Sequence, residues 1–289
     1  MLPQFELYRP KCLQEACELK GQGAMVFAGG TDVFVAMHGG RLRPKALVDV
    51  KGIGEMQGAT FDEQSGLNLG ALTTHRTIEE WDIIKERYYA LFEGCSQVGS
   101  VQIRHRGTLG GNICNAAPSA DSVGPLLVFD AKCVVVGKEG QRTVPLSQFF
   151  AGPKKTVLAA DELLYRIVVP PPAQCSGSAY IKYTRRKAMD LALLGVCVYL
   201  ALDGNLLRDV RIALSTAAPT PIRAYQTEAM LRGKSTEDIS MEEMGKQAAA
   251  EASPRSSWRA NREFRLKLIE ELMQRAFSTA LARAGGDRR

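Results

Sequence analysis

The sequence predicts an α+β fold with two lobes, for which 289 residues are sufficient; one larger domain is the less favoured alternative. Residues 24–50 have the order strand, glycine turn, helix and strand, which favours a small parallel unit. Residues 179–215 contain three strand-like segments, with the hairpin signal Asp-Gly-Asn at 203–205 between the last two. Helical periodicity follows this segment, so we expect helices packed on one face of a three-stranded antiparallel sheet.

The elements of the first lobe follow in order along the chain. A short amphipathic helix, a strand, a second short helix and a strand are predicted at residues 11–20, 24–28, 33–37 and 46–50. Thr31 or Asp32 is the expected cap of the second helix. Further on, we expect a strand, one helical segment and two more strands at residues 66–71, 74–100, 132–137 and 161–170.

A proline-rich linker, "PPPAQCSGS" at residues 170–178, separates the two lobes. The predicted strands of the second lobe are residues 179–185, 193–202 and 207–215. Thr220-Pro221 is expected to begin a helix that ends near Gly233. A last helix is predicted over residues 258–284, where apolar side chains recur at helical spacing.

The composition, with 45% hydrophobic and 24% charged residues, is typical of a soluble globular protein. The net charge of +6 comes from 37 basic and 31 acidic residues, without the basic block typical of nucleic-acid binding. No apolar run reaches the roughly 18 residues of a membrane-spanning helix, and the N-terminus lacks a secretory signal. We therefore expect a cytoplasmic protein with no nucleic-acid partner and no membrane span.

The seven cysteines and three histidines do not predict a metal site. The cysteine count is odd and no C-x-x-C motif occurs, which argues against a disulfide framework and against a zinc or iron–sulfur site made by this chain alone. Cys133 and Cys197 lie in apolar runs and are expected to be buried thiols. No catalytic triad or carboxylate pair is apparent, so we expect no catalytic side chain and a cofactor that does the chemistry.

Two glycine-rich loops are the candidate binding sites. The first glycine loop, "AGGTD" at residues 28–32, follows a strand and precedes a helix, where free N–H groups can bind a phosphate. It matches neither the P-loop nor the dinucleotide fingerprint. The second glycine loop, "RGTLGGN" at residues 106–112, again combines Gly-Gly with a hydroxyl and a small polar side chain. N–H groups from both loops would suit one dinucleotide pyrophosphate; two ordinary glycine turns are the alternative.

Two further features lie downstream. Asp121 follows the second glycine loop, where an acidic residue often accepts hydrogen bonds from ribose hydroxyls; a turn or helix-capping aspartate is the alternative. Residues 180–195 carry Lys182, Arg185, Arg186 and Lys187. This basic stretch suits a flavin or a phosphate, and a solvated strand face is the alternative.

The motifs resemble one known family over nearly the whole chain. They are "AGGTD", "QIRHRGTLGGNICNAAPSADSVGPLL", "FFAGPKKT", "YIKYTRRKAMDLA", "AAPTPIRA" and "SPRSSWRANREFRLKLI", in this order. Together they are similar to the FAD-binding subunits of the molybdenum hydroxylases, and most similar to the bacterial xanthine dehydrogenase type. Two departures stand out: His105 lies where the family usually has Asn, and Val98 lies where the animal enzymes have a stacking Phe.

The resemblance implies an FAD-binding fold of the vanillyl-alcohol-oxidase (PCMH) type over residues 1–172, with subdomains of about 1–56 and 57–172. A flavoprotein C-terminal domain would occupy residues 173–285. The two loops would hold the FAD pyrophosphate, Asp121 the ribose of the adenosine half, and Leu164 and Lys182 would lie near the flavin. The implied FAD-binding residues are Ala28, Gly29, Gly30, Thr31, Asp32, Val33, Thr108, Leu109, Gly110, Gly111, Asn112, Ala120, Asp121, Leu164 and Lys182.

The resemblance also implies partners. A small subunit would carry [2Fe–2S] clusters, and a large subunit would carry molybdopterin and hydroxylate the substrate. FAD in this chain would pass the electrons to NAD+ or another acceptor. One alternative is the flavin subunit of a carbon monoxide, nicotinate or other N-heterocycle or aldehyde dehydrogenase. A stand-alone flavin oxidoreductase and a non-catalytic nucleotide-binding or scaffold protein are the others.

Overall fold

Three sheets and a short two-stranded ladder form the framework of the protein, whose computed structural model describes residues 2–285. The two larger sheets are antiparallel and carry packed helices, so the α+β class is confirmed. Among residues 2–285, no helix is both long enough and apolar enough to cross a bilayer. The same residues contain no group of three His, Cys, Asp or Glu side chains that could hold a metal ion. Cys133 and Cys197 are buried free thiols, as predicted.

The N-terminal subdomain is a parallel sheet with the strand order β1-β3-β2. Its elements are β1 (Glu6–Tyr8), α1 (Leu13–Gly21), β2 (Met25–Phe27), α2 (Val33–His38) and β3 (Ala46–Asp49). Parallel strands require crossover connections, and α1 and α2 supply the two crossovers. The predicted parallel unit is thus confirmed. The sequence did not predict β1, whose three residues are all exposed and carry no alternating pattern.

The second subdomain contains an antiparallel sheet of five strands in the order β4-β5-β10-β6-β7. Its elements are β4 (Ala59–Asp62), β5 (Gly66–Gly70), α3 (His75–Glu80), α4 (Asp82–Arg87), α5 (Tyr89–Ser96), α6 (Val101–Arg106), α7 (Leu109–Cys114), α8 (Val123–Val128), β6 (Lys132–Gly137), β7 (Gly140–Pro145), β8 (Phe150–Gly152), β9 (Lys155–Thr156) and β10 (Leu163–Val169). The single helical segment predicted over 74–100 is wrong. Trp81 and Tyr88 leave the helical conformation and divide it into three helices.

The C-terminal domain is an antiparallel sheet with helices. Its elements are β11 (Ser176–Tyr183), β12 (Leu194–Asp203), β13 (Leu206–Ser215), β14 (Ile222–Arg223), α9 (Tyr225–Leu231), α10 (Met241–Ala250) and α11 (Arg262–Ala284). The three predicted strands are present, but β14 adds a fourth strand to the sheet. The helix predicted to begin at Thr220-Pro221 begins at Tyr225 instead, because β14 pairs residues 222–223 with β13.

Both faces of the C-terminal sheet are buried, which fixes this domain against the rest of the molecule. On β12, Val196 and Val198 pack in a cluster with residues of α10 and α11. The intervening Cys197 and Tyr199 pack in the main core of the second subdomain. Successive side chains of a strand point to opposite faces, so a strand buried on both faces is apolar throughout. This explains the continuous apolar run at residues 193–202.

Close packing of α11 on β11 gives the first testable prediction. A Cβ atom at Gly177 would lie 2.1 Å from the carbonyl oxygen of Ala280 and 2.6 Å from the amide nitrogen of Ala284. Gly177→Ala should therefore push α11 away from the sheet and lower the free energy of unfolding by roughly 1–3 kcal/mol. Chemical denaturation measures this loss. In the control Gly54→Ala the new Cβ has no atom within 4 Å, so an equal loss in both variants would contradict the packing argument.

Candidate functional site

The two glycine loops lie in contact with each other. A Cβ atom at Gly29 would lie 1.8 Å from the carbonyl oxygen of Arg106, so only glycine permits this approach of backbone to backbone. On the other side of the contact, a Cβ atom at Gly107 would lie 3.6 Å from Thr31 Oγ1. The fold thus brings together two segments that are about 80 residues apart in the sequence. Their role in binding a pyrophosphate stays a prediction.

The backbone amides of the first glycine loop have no hydrogen-bond acceptor among the described residues. Within residues 2–285, the N–H groups of residues 29–33 have no hydrogen-bond acceptor in the protein. The carbonyl of Gly30 accepts from Phe34 N at 3.0 Å and begins the helical turn. Gly30 has a φ of +74°, which a side chain would strain. Consecutive N–H groups of this kind form an anion-binding concavity.

Neither predicted cap of α2 makes a capping hydrogen bond. Asp32 occupies the N-cap position, but its backbone is helical and its carboxylate accepts no hydrogen bond from the first turn. The expectation that Thr31 or Asp32 caps this helix is therefore wrong. The contact between the loops places Thr31 beside Gly107, and Asp32 has a helical backbone where a capping residue is normally extended.

The second glycine loop differs, because the amides of residues 109–112 already have protein acceptors. The side chain of Thr108 accepts from Gly111 N at 3.1 Å and caps α7. Leu109 N donates to Thr73 O at 2.8 Å, Gly110 N to Ala71 O at 2.9 Å, and Asn112 N to Thr108 O at 2.9 Å. The expectation that amides of both loops are available is therefore wrong for residues 109–112, whereas the Thr108 amide has no acceptor within residues 2–285. Two other groups of this loop are available to a ligand: the Cα edge of Gly111 and the side-chain amide of Asn112.

The glycines of the second loop are explained mainly by packing. A Cβ atom at Gly110 would lie 2.6 Å from the carbonyl oxygen of Ala71, at the end of β5. At Gly111 the nearest atom would be Thr108 Oγ1 at 2.9 Å, and the residue is exposed. The Asn112 side chain is held in place because its Oδ1 accepts from Ser122 Oγ at 2.8 Å. Only Gly111 therefore faces the open side, where a ligand has access.

Asp121 and Lys182, predicted as separate cofactor contacts, form a buried ion pair. Lys182 Nζ lies 2.7 Å from Asp121 Oδ2, and the two side chains are 5% and 8% exposed. Tyr180 donates its hydroxyl hydrogen to Asp121 Oδ1 at 2.8 Å. Burial raises the pKa of Asp121, and Lys182 opposes this rise. Each carboxylate oxygen therefore has a protein donor, and the pair joins the second subdomain to β11.

Lys182 has one donor left for a ligand. Its ammonium group carries three N–H donors, of which one goes to Asp121 and one to Gln97 O at 3.0 Å. The side chain is thus held by two fixed acceptors. The third N–H has no acceptor within residues 2–285 and is the donor left for a ligand.

Two other predicted residues lie in the apolar core. Leu164 is 3% exposed on β10 and packs in the main core of the second subdomain. Ala120 is 4% exposed and belongs to the same core. Ala28 and Val33, at the two ends of the first glycine loop, are half-buried. The structure therefore brings Gly29 and Thr31 against residues 106–107, and separately joins Asp121 to Lys182.

A cleft of about 280 Å³ opens beside the contact between the loops. Its lining combines basic and hydroxyl side chains from both subdomains: Lys51, Gln57, Gly58, Ala59, Leu72, Thr73, Thr74, Thr77, His105, Arg106 and Thr108. Lys51 Nζ also donates to Ala28 O at 3.2 Å and so supports the first loop. The sequence did not indicate a role for Lys51 or for the side chain of Arg106. Their positions, just after β3 and just before Gly107, are the signal that would have identified them.

His75 is another missed residue and lies at the contact between the loops. Its backbone N–H donates to Gly107 O at 3.0 Å, and its ring lies 3.3 Å from where a Gly107 Cβ would be. The ring is buried, and Nδ1 has no hydrogen-bond partner within residues 2–285. Burial, and to a lesser extent the charge of Arg104, lower the pKa of His75 to about 4. His75 is therefore neutral at physiological pH. His105, in contrast, is exposed at the cleft.

Arg104 fixes the helix that leads into the second loop. Its guanidinium lies 2.8 Å from Glu79 on α3 and also donates to Val98 O at 3.2 Å. Both charged side chains are mostly buried. This pair holds α6 against α3, so the position of residues 106–112 is set by a buried, hydrogen-bonded contact.

Comparison with known proteins identifies both parts of the chain. The family model described as the FAD binding domain in molybdopterin dehydrogenase matches residues 3–172. The model of the CO dehydrogenase flavoprotein C-terminal domain matches residues 179–280. The first match alone covers more than half of the chain.

Relatives match along almost their full length. The xanthine dehydrogenase FAD-binding subunit of Escherichia coli O157:H7 is 37% identical over 96% of this chain and 97% of its own. The carbon monoxide dehydrogenase medium chain of Hydrogenophaga pseudoflava is 32% identical over 97% of this chain and 98% of its own.

A solved structure has the same fold. It is a carbon monoxide dehydrogenase from Hydrogenophaga pseudoflava that lacks the Mo-pyranopterin moiety of its molybdenum cofactor. One of its chains superposes with a TM-score of 0.92 at 32% identity, covering 98% of this chain and 99% of its own. The chain therefore belongs to the FAD-binding subunits of the molybdenum hydroxylases, a family of oxidoreductases.

Proposed function

We propose that the chain is the flavin subunit of a xanthine-dehydrogenase-type molybdenum hydroxylase and works in the cytoplasm. The observation that carries the type is the 37% identity to a xanthine dehydrogenase subunit, against 32% to the carbon monoxide dehydrogenase medium chain. In this proposal a molybdopterin large subunit hydroxylates the substrate, and a [2Fe–2S] small subunit delivers the electrons to this chain. NAD+ is the proposed final acceptor.

The residues around the two loops fit an FAD pyrophosphate. The amides of residues 29–33 supply hydrogen-bond donors for one side of the anion, without an acceptor of their own in the described chain. On the other side, Asn112 offers its side-chain amide beside the open edge of Gly111. Arg106 and Lys51 add positive charge at the adjacent cleft. This arrangement binds a diphosphate with few side chains and much backbone.

Lys182 suits the polar edge of the flavin ring system. Bound FAD supplies the electron-carrying chemistry, while the protein supplies position and charge. The buried pair with Asp121 fixes the position of the Lys182 ammonium group, because Asp121 and Gln97 each accept one of its hydrogens. We infer that Asp121 acts through Lys182, whereas the sequence alone suggested a direct contact with ribose.

Purification of the complex tests the proposed function. The chain, produced with its partner polypeptides, should carry FAD and co-purify with iron–sulfur and molybdenum polypeptides. Xanthine should reduce the bound flavin, and NAD+ should reoxidise it. Reduction by carbon monoxide or nicotinate but not by xanthine would contradict the xanthine type. Bound FAD without any metal-containing partner would favour a stand-alone flavin oxidoreductase.

Gly29→Ala tests the contact between the two loops. The new methyl group would displace the Arg106 carbonyl oxygen and separate the loops, so FAD should bind at least roughly tenfold more weakly. Flavin-to-protein ratio and fluorescence titration measure the effect. Gly52→Ala is the control, since its Cβ would meet only an ordinary contact of 3.7 Å. Equal FAD affinity in both variants would rule out the contact as part of the binding site.

A double-mutant cycle distinguishes action of Asp121 through Lys182 from a direct contact of Asp121 with the ribose. Asp121→Asn leaves the charge of Lys182 unpaired, and Lys182→Met removes that charge. If Asp121 acts through Lys182, each single variant should weaken FAD binding by roughly 10–100-fold, and the double variant no further. Flavin fluorescence titration measures these losses of affinity. Additive losses would instead favour a direct contact of Asp121 with the ribose.

The burial of neutral His75 predicts a pH dependence of stability. Its folded pKa of about 4 lies below the usual 6.5, so its contribution is complete above pH 6.5 and is lost as pH falls toward 4. The loss amounts to about 3 kcal/mol. His75→Gln should lack this loss of stability between pH 6.5 and 4. The difference between the pH profiles of unfolding free energy of the wild type and the variant therefore separates the contribution of His75 from that of the carboxylates. His105→Gln, at an exposed position, should follow the wild type; a shared change would refute the assignment.

A further inference from the structure

A continuous surface links two segments of the C-terminal domain. We call residues 183–191 and 253–265 the cationic aromatic patch. The Arg185 guanidinium lies 5.8 Å from the ring centre of Trp258, and Arg259 stacks on the same ring at 4.6 Å. The rings of Tyr183 and Phe264 lie 6.1 Å apart. These contacts join the two segments into one face, although about 60 residues separate them in the sequence.

The apolar part of the patch is unusually exposed. Trp258 is 77% exposed, the largest value among the exposed large hydrophobic residues of the described chain. Met189 and Leu191 are each more than half exposed, and Tyr183 and Phe264 each more than one third. The aromatic residues, Met and Arg are the residue types enriched in protein–protein interfaces. A contiguous apolar group of this kind on a soluble protein marks an interaction site.

The charged part of the patch has one sign. The two segments contain seven Lys and Arg residues but only Asp190 and Glu263 as acids, a net charge of +5 out of +6 for the whole chain. Asp190 is already engaged, because its carboxylate accepts from the backbone N–H groups of Arg185, Arg186 and Leu191. The patch therefore attracts an acidic surface.

A buried guanidinium without a counter-ion lies beneath the patch. Arg265 is 3% exposed, and its two terminal nitrogens donate to Leu193 O and Ser257 Oγ. Its Nε has no partner, and no carboxylate lies within ion-pair distance among residues 2–285. Burial and the charges of Arg255 and Arg259 lower the pKa of Arg265. A buried charge of this kind is costly unless an anion offsets it.

The patch also adjoins the end of the site where Lys182 lies. Met189 N donates to Gly99 O at 3.4 Å, and Lys182 Nζ donates to Gln97 O. A protein docked on the patch is therefore placed next to the group that Lys182 contacts. This position suits a partner that exchanges electrons with the flavin.

From these observations we infer that the cationic aromatic patch docks the iron–sulfur subunit, through an acidic surface with an apolar centre. The inference rests on the proposed function, because it takes the existence of that subunit from it. Trp258 supplies the apolar anchor, and the arginines around it supply attraction and orientation. A carboxylate of the docked surface supplies the charge that offsets Arg255, Arg259 and Arg265.

Charge reversal and truncation on the patch provide the test. The complex is reconstituted from the FAD-loaded chain and the iron–sulfur subunit, and the Kd is measured at low and high salt. Trp258→Ala and Arg259→Glu should each weaken binding by roughly tenfold or more, and the wild-type affinity should fall as salt rises. Lys187→Glu, at an exposed residue of the same patch, serves as a second charge reversal if Arg259→Glu disturbs the fold.

Matched controls come from exposed residues outside the patch. Tyr225 is 57% exposed beneath the Arg223 guanidinium, and Arg208 is exposed on β13. Tyr225→Ala and Arg208→Glu repeat the same chemical changes and should leave the Kd within about twofold of the wild type. The FAD content of every variant should equal that of the wild type.

The outcomes separate the patch from the proposed function. A wild type that binds no iron–sulfur subunit removes the proposed function, and this inference with it. Unchanged Kd in all patch variants, with normal binding by the wild type, overturns the inference alone. Loss of FAD from the patch variants assigns the surface to the flavin and also overturns it. Loss of NADH oxidation at unchanged subunit affinity overturns it in favour of an acidic dinucleotide.

Discussion

The approach of Gly29 to the Arg106 carbonyl oxygen is the constraint on which the site depends. It is a contact of backbone with backbone, so no side-chain substitution can be accommodated by a change of rotamer. Within residues 2–285, the N-terminal subdomain has a separate buried cluster of only Phe27, Met37 and Leu47. The other face of its sheet packs on the main core through residues such as Val48 and Val50. A unit with so small a core is held by its neighbours, and the loop contact fixes its orientation.

Buried charge pairs extend this constraint to the rest of the molecule. Arg104 and Glu79 hold the helix that precedes the second loop, and Lys182 and Asp121 hold the C-terminal domain. A buried pair contributes little net stability, because desolvation offsets most of the attraction. Loss of one partner, however, leaves an unpaired charge inside the protein. These pairs therefore select one arrangement of the domains and penalise others, which is what a site made of three separate segments needs.

The sequence predicted those features that are local. Strand β12 followed from its apolar run, and the two glycine loops from their composition. It failed where the signal is short or interrupted. Apolar residues continue with helical spacing through Trp81 and Tyr88, although the backbone leaves the helix at both. Strand β14 has two residues, too few for an alternating pattern.

The sequence also did not predict contacts between residues that are far apart in the chain. Asp121 follows a glycine loop, as a ribose-binding residue does, and nothing near it in the sequence indicates another partner. Its partners Tyr180 and Lys182 lie about 60 residues further on and reach it only because β11 packs against α5. The amides of the second loop are similar, since their acceptors Ala71 and Thr73 are distant in the sequence. Motifs therefore located the site but did not show which of its groups are already paired.

Strand β11 connects the interior of the site with its surface. Side chains of a strand alternate between faces, so the buried Lys182 is followed by Tyr183, which is exposed on the cationic aromatic patch. A shift of this strand by one residue would move Lys182 to the surface and Tyr183 to the interior. Its register is fixed by eight residue pairs with β12 and by the contact of Gly177 with α11. The same packing that stabilises the C-terminal domain thus sets the distance between the charge at the flavin site and the surface of the patch.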